Sequence, residues 1–490
     1  MDGLLAGERP QPSRIIATLT DLFTPDAFSR RPKPKRVGPT GWLDGLRGWA
    51  ALCVAFMHLT VYTHEGLELC YGSKFRHSDQ LNTSFAALPI IRLPFTGGHF
   101  AVMLFFVISG YVVPRRLSSM LHEGRREEFI ESVHSAIIRR PVRLFAPVFM
   151  STLFLCFFWH ITGISVPWPV LSSNIIFEIG HWLEDMGIFL YYHKVGPLYS
   201  IYNVHTWTIP VEFRGSMFLF IFLFATSHIK TKTRTFMELA VTLHLSIGSP
   251  GAWYACFFAG MFMSDLELLA LENNNITFPW DPIDQWLRAK PQKVLRFVLL
   301  HVLLLCSLYL ATQPSADWTT KAETLGNCPG WMTLSAMIPR SYLDDFSQFR
   351  WFWLFWAAWA MVYCVREIGW LRACFETSVA QYLGKHSFAL YLVHGPIIAI
   401  FAERLFYLTG LKQAWQDEQK ITFGMYQNKW RDSGFWPFSA NGSYGLEPTF
   451  LACVAITLPL MLYLAEVGTR AFDLPSVTLS RWVWQKWKNL

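Results

Sequence analysis

Apolar residues recur along this chain in blocks of about 20, the length a helix needs to cross the hydrocarbon core of a bilayer. Short polar stretches separate the blocks. They predict spans near 47–64, 95–113, 144–163, 206–226, 236–249, 251–265, 294–312, 348–366, 386–408 and 449–469. The fifth and sixth are short and joined by "GSPG", so one kinked span is the alternative. Segment 173–193 is also apolar but carries Glu178, Glu184 and Asp185, which favours a helix lying in the interface over an eleventh span. The C-terminal "RWVWQKWKNL" reads as a second interfacial helix, with Trp482, Trp484 and Trp487 beside basic residues. The fold class is therefore all-α, a polytopic integral membrane protein with about ten transmembrane helices.

Composition supports this reading. Only 16% of residues are charged and 52% are hydrophobic, whereas soluble domains carry about 25% charged residues. The net charge of +7 would suggest nucleic acid in a soluble protein. Here the basic residues lie between apolar runs, where topology and anionic lipid account for them, so the expected partner is the lipid bilayer and no nucleic acid.

Charge also sets domains and orientation. Residues 1–40 are expected to form a cytosolic, basic, Pro-containing tail that carries "SRRPKPKR" near its end, since the first 28 residues show no apolar core long enough for a signal peptide. Residues 41–470 form the transmembrane domain and 471–490 an amphipathic tail. Loop 114–143 holds Arg115, Arg116, Arg125, Arg126, Arg139, Arg140 and Arg143, against Lys194 alone in 164–205. The positive-inside rule then places both termini in the cytosol, with the chain multi-pass in an endomembrane (ER/Golgi) or the plasma membrane. Loop 409–448 is the exception, with four basic residues on the outer side. Sequons begin at Asn82 and Asn441 in outer loops and at Asn275 inside.

Nine cysteines show no CxxC and no zinc-like spacing, so no metal is expected. Cys70 and Cys328 fall in outer loops where a disulfide is permitted, a pairing that sequence leaves open.

Chemistry concentrates in the first span, "LDGLRGWAALCVAFMH". On a helix Arg47 and His58 share a face about 16 Å apart along the axis. Asp44, three residues before Arg47, is placed to hold its guanidinium. An ionisable group at mid-membrane is costly and points to function, and His58 suits a general base. A topology-marking arginine and a satisfied structural histidine are the alternatives.

Arg47, ten residues, then His58 resembles the first-helix signature of the membrane acyltransferase-3 family, and four later blocks match in order. "FFVISGYVVPRR" resembles the second-helix motif, with Ser109-Gly110 either a polar patch near ligand or a tight helix contact. "RRPVRLFAP" supplies Arg140 and Arg143, "HTWTIPVEF" supplies Trp207 and Glu212, and "SFALYLVHGPI" supplies His394. The blocks run from Leu43 to Pro396. The resemblance implies polytopic enzymes that move acyl groups, often acetyl from acetyl-CoA, onto hydroxyls of sugars, lipids or small metabolites.

On that resemblance acyl-CoA is the co-substrate and a hydroxyl-bearing acceptor the partner. His58 is the base, Glu212 orients it or meets the acceptor hydroxyl, and Asp44 supports Arg47. Arg47, Arg140, Arg143 and Ser109 bind the cofactor, while Trp207 and His394 line the substrate cavity. For Glu212 and His394 the alternatives are pairing with a basic residue and a structural role. Pro210 is expected to break or kink the helix beside Glu212. The chain departs from the family pattern at Ala101 and Met103. Phe213 replaces a second acidic residue, so no two-carboxylate role is available.

The rival is a proton-coupled transporter using His58, Glu212 and Arg47 as an intramembrane relay. Many transporters carry paired broken helices, and Pro210 has no counterpart in the other half of the chain.

Overall fold

A computed structural model describes residues 20–26, 28, 38–75, 79–194, 198–248, 251–272, 276–316, 320–326, 328–342, 348–412 and 436–489. Among them are helices, turns and two isolated strand-like pairings, but no β-strand. The main helices are α1 (Gly41–His64), α2 (Gly98–Val112), α3 (Arg115–His122), α4 (Arg126–Thr162), α5 (Ile175–Phe189) and α6 (Thr208–Ala225). They continue with α7 (Thr231–Leu245), α8 (Gly251–Leu271), α9 (Lys293–Ala311), α10 (Arg350–Glu367), α11 (Ser378–Ile397), α12 (Pro448–Gly468) and α13 (Leu474–Lys488).

Every predicted span overlaps one of these helices. Seven helical stretches among the described residues are long and apolar enough to cross a membrane, and they contain α2, α4, α6, α8, α9, α11 and α12. The remaining predicted spans hold α1, α7 and α10, which lack that combination of length and apolarity. The first of these carries Asp44, Arg47, His58 and His64 along its length. Helices α7 and α8 are separate and pack on each other, which replaces the single kinked span.

In lipid, helices associate by close packing because the solvent is as apolar as their side chains. The innermost contacts follow that rule. Helix α1 lies against both α2 and α11. A Cβ added to Gly48 would stand 2.3 Å from the Gly384 nitrogen, and one on Gly384 would stand 2.3 Å from the Asp44 carbonyl oxygen. Backbones of α1 and α11 therefore touch, which sets His58 and His394 beside each other farther along. Gly110 does the same between α2 and α8, where a Cβ would meet the Phe257 carbonyl oxygen at 2.0 Å. This is the tight helix contact that was one of the readings of Ser109-Gly110. Helix α9 lies at the rim and leaves Val294, Phe297, Val302 and Leu305 exposed, as a lipid-facing helix requires.

Helix α5 forms where an interfacial helix was expected, and two of its three acids, Glu178 and Asp185, point inward. Glu178 accepts from the Tyr202 hydroxyl (2.5 Å) and the Ser172 amide (2.6 Å). Asp185 accepts from the Ser200 hydroxyl (2.6 Å) and the Ile201 amide (3.1 Å). Ile176, Phe177, Leu183 and Ile188 face outward. Two of the acids that argued against an eleventh span thus fasten the loop leading to α6, while Glu184 stays exposed.

One face of the bundle is closed by a Cys70–Cys328 disulfide, with Cα atoms 5.6 Å apart. On this face Asn82 is buried and donates to the Gly66 carbonyl oxygen at 2.9 Å, so its sequon is closed to a glycan in the folded chain. Asn441 is exposed, and Asn275 lies outside the described residues.

On the opposite, Arg-rich face, residues 20–26 are tied to α11 and α12. The Asp26 carboxylate meets Lys385, Arg470 (2.5 Å) and His386 (3.1 Å), and the Asp26 amide donates to Glu466 (2.7 Å). Burial pushes the Asp26 carboxyl up. The donors from Lys385, Arg470 and His386 outweigh it and hold the group well below the usual carboxylate range. From Arg470 the chain runs through a π-turn (Thr469–Asp473) into α13, which packs along α4 and exposes Trp482 and Trp487.

Candidate active site

Three histidines from three elements converge inside the bundle. His58 comes from the second half of α1, His394 from near the end of α11, and His205 from a 3-10 turn, Val204–Trp207, that leads into α6. Ring centres lie 4.2 Å apart for His58–His205, 4.8 Å for His205–His394 and 5.2 Å for His58–His394. His394 is buried, while His58 and His205 are half-buried.

Helix α11 fastens the turn that carries His205. Asn203 donates to the Leu392 carbonyl oxygen at 2.8 Å. The Tyr391 hydroxyl donates to the His205 carbonyl oxygen and accepts from the Thr208 hydroxyl at 2.7 Å. A Cβ on Gly395 would stand 2.0 Å from His205 Cδ2, so glycine next to His394 is what admits the His205 ring. Trp168 meets the same ring edge-on at 5.7 Å. The expected irregularity at Pro210 lies a few residues earlier, in the 3-10 turn. Pro210 itself sits in the first turn of α6, where a missing N–H breaks no helical bond.

Glu212 does not spend its carboxylate on a histidine. It pairs with Arg140 and accepts a hydrogen bond from Ser109. Arg140 also donates through Nε to the Ser216 hydroxyl at 2.9 Å, which in turn donates to the Glu212 carbonyl oxygen at 2.7 Å. Pairing with a basic residue, one of the alternatives for Glu212, is therefore realised, and it joins Ser109, Arg140 and Glu212 into one network.

Arg47 pairs with Asp44 at 3.2 Å, as the three-residue spacing predicts, and donates to the Gly384 carbonyl oxygen at 3.4 Å. Arg143 is exposed. It shares with Arg47 the electrostatic neighbourhood of Asp473, and Arg139 has Arg481, Arg143 and Arg116 around it. Arg116, Arg139, Arg143 and Arg481 thus gather on one face, with the Asp473 carboxylate near Arg47 and Arg143. Trp207 turns toward Trp253 (5.6 Å) and Trp351 (5.9 Å), forming an aromatic group next to the histidines in sequence.

The profile of the acyltransferase-3 family, described as an acyltransferase domain, matches residues 40–466. The chain belongs to the acyltransferase-3 family. It is an acyltransferase, and its apolar helices make it a membrane protein. O-acetyltransferase PaAT-1 from Phomopsis amygdali is 28% identical over 95% of this chain and 88% of its own length. Acyltransferase R4 from a Phoma strain is 24% identical, and acyltransferase clz18 from Cochliobolus lunatus is 23% identical, each over 80% of this chain and 90% of the relative. No solved structure matches the chain.

Within this acyltransferase-3 chain, sequence reasoning brought forward His58, Arg47, Asp44, Arg140, Arg143, Glu212, Ser109, Trp207 and His394. It missed His205, although that residue opens the block "HTWTIPVEF". No periodicity marks a residue on a single 3-10 turn, and only the contact with α11 turns its ring toward His58.

Proposed function

We propose that this acyltransferase is a membrane-embedded O-acyltransferase, with acyl-CoA as donor and a hydroxyl of a glycan, lipid or small metabolite as acceptor. The acyl group is acetyl in the simplest case, in keeping with the name of the O-acetyltransferase relative. CoA phosphates meet the Arg-rich face at Arg47, Arg140 and Arg143, the first held by Asp44 and the second by Glu212. The thin arm of CoA follows α1 and brings its thioester to His58. There the acceptor oxygen loses its proton to a His58 ring nitrogen and attacks the thioester carbonyl. The C–S bond breaks, and the thiolate takes the proton back from His58 to leave as CoA thiol. His394 and Trp207 line the acceptor side. The phosphates enter from the cytosol, where both termini lie.

The observation that carries this reading is the placement of His58 at the meeting point of α1, α11 and the His205 turn, on the same helix that presents Arg47. Labelled acetyl-CoA given to the purified chain tests it. An enzyme of this kind consumes the label only with acceptor present and saturates in both, whereas a proton-coupled transporter leaves acetyl-CoA intact. Mass spectrometry of lipids, glycans and metabolites with and without the gene identifies the acceptor by a lost acyl increment.

A further inference from the structure

Acyl transfer as proposed uses one histidine as base, yet the fold brings three together. A ring nitrogen of each of His58, His205 and His394 lies within 4.8 Å of the other two. Hydrogen bonding fixes the state of the deepest ring. A carbonyl oxygen only accepts, so the 2.7 Å contact with the Tyr391 carbonyl puts the His394 proton on Nδ1. Nε2 is then a bare lone pair on a residue 1% exposed, with no hydrogen-bond partner among the described residues. A buried acceptor left unsatisfied is costly, so the geometry calls for a partner at Nε2. Nδ1–H bound to a backbone carbonyl, with Nε2 aimed at converging nitrogens, is how metal-ligating histidines are held.

The neighbouring elements are shaped for the same convergence. Tyr391 orients His394 through its carbonyl and fixes the His205 backbone through its hydroxyl. Gly395 clears the space that the His205 ring occupies. Neutral imidazoles without a carboxylate suit a borderline cation, and three histidines with one open position suit Zn²⁺. Mg²⁺ and Ca²⁺ require oxygen ligands instead. Zn–N bonds of about 2.0–2.1 Å put tetrahedral nitrogens about 3.3 Å apart, so the widest pair has to close by about 1.5 Å at most, within reach of ring rotation. Spacing in the sequence gives no hint of the set, because its members lie on segments far apart in the chain.

We propose that His58, His205 and His394 form a binding site for a zinc-like divalent cation. In one respect this rests on the acyl-transfer reading. The cation takes the His58 lone pair that transfer assigns to the acceptor proton, so bound zinc inhibits the enzyme.

The test uses the full chain in detergent, stripped by a chelator and dialysed against zinc in excess magnesium, with metal counted per chain. The expected result is one zinc per chain, with affinity at least tenfold weaker in His394→Gln and in His205→Gln. Cobalt in place of zinc is expected to give the visible absorption of a tetrahedral nitrogen-ligated ion in the wild type and in neither variant. Absence of stoichiometric zinc in the wild type overturns the proposal whether or not the variants fold. So does undiminished zinc in a His205→Gln/His394→Gln chain whose size-exclusion profile is unchanged. Zinc bound at the three rings without inhibition would keep the site and overturn His58 as base. An active metal-free chain that binds no zinc would do the reverse.

Discussion

The rings of His58 and His205 stand 4.2 Å apart, one on the first helix and the other on the turn that opens α6. Residues in such contact act as a unit, and their substitutions do not add. His205→Ala is expected to slow acyl transfer about tenfold, or about 1.4 kcal/mol in barrier. In a chain already lacking His58 the same change is expected to cost little more. Turnover of labelled acetyl-CoA by the two single variants and the double variant closes the cycle. Fully additive losses would show that the two rings act separately.

The Arg140–Glu212 pair is largely withdrawn from solvent, with side chains 15% and 13% exposed. Removing one partner leaves a buried charge, a loss of about 3–5 kcal/mol, whereas removing both charges together costs much less. Arg140→Ala is therefore expected to lower the detergent melting temperature more than Arg140→Gln/Glu212→Gln. The reverse order would mean that the pair carries no structural load.

At the α1–α11 crossing, Gly384→Ala places a Cβ 2.3 Å from the Asp44 carbonyl oxygen. Overpacking of this kind costs about 1–3 kcal/mol. Because the same crossing sets His58 beside His394, the variant is expected to lose activity as well as thermal stability. An unchanged melting temperature with full activity would show that the helices part freely.

Asp26 predicts a pH dependence. Its folded carboxyl lies below its ordinary value of 3.8 because Lys385, Arg470 and His386 donate to it. A lowered folded value contributes stability that is complete above the unfolded value and is lost as pH falls through the folded one. The tie between residues 20–26 and α11–α12 is thus intact at neutral pH and weakens only in acid below about 4. Asp26→Asn is expected to free that segment at pH 7, read as faster proteolytic clipping near residue 26. Equal clipping of both chains across the pH range would remove Asp26 from this role.

What was legible in the sequence lay within single elements. Arg47 and His58 share a helix, so their common face follows from helical geometry alone, and the Asp44–Arg47 contact follows from their spacing. Apolar blocks gave each helix its place. What stayed hidden depended on contacts between elements. Glu212 found Arg140 on α4, Cys70 found Cys328 across a long separation, and Tyr391 on α11 fixed the turn bearing His205. Glu178 and Asp185 on α5 found Tyr202 and Ser200 on a loop whose path no periodicity reveals. Pro210 was read as a break within a helix because the helix start is set by the preceding turn and its bonds to α11.

The central claim is that His58 takes the acceptor proton. The most direct measurement is labelled acetyl transfer by His58→Ala, with the protein inserted in vesicles and its folding checked by an unchanged melting profile. Loss of a general base predicts a fall of about 10²–10⁴ in turnover with acetyl-CoA still bound. Turnover equal to that of the wild type would contradict the account.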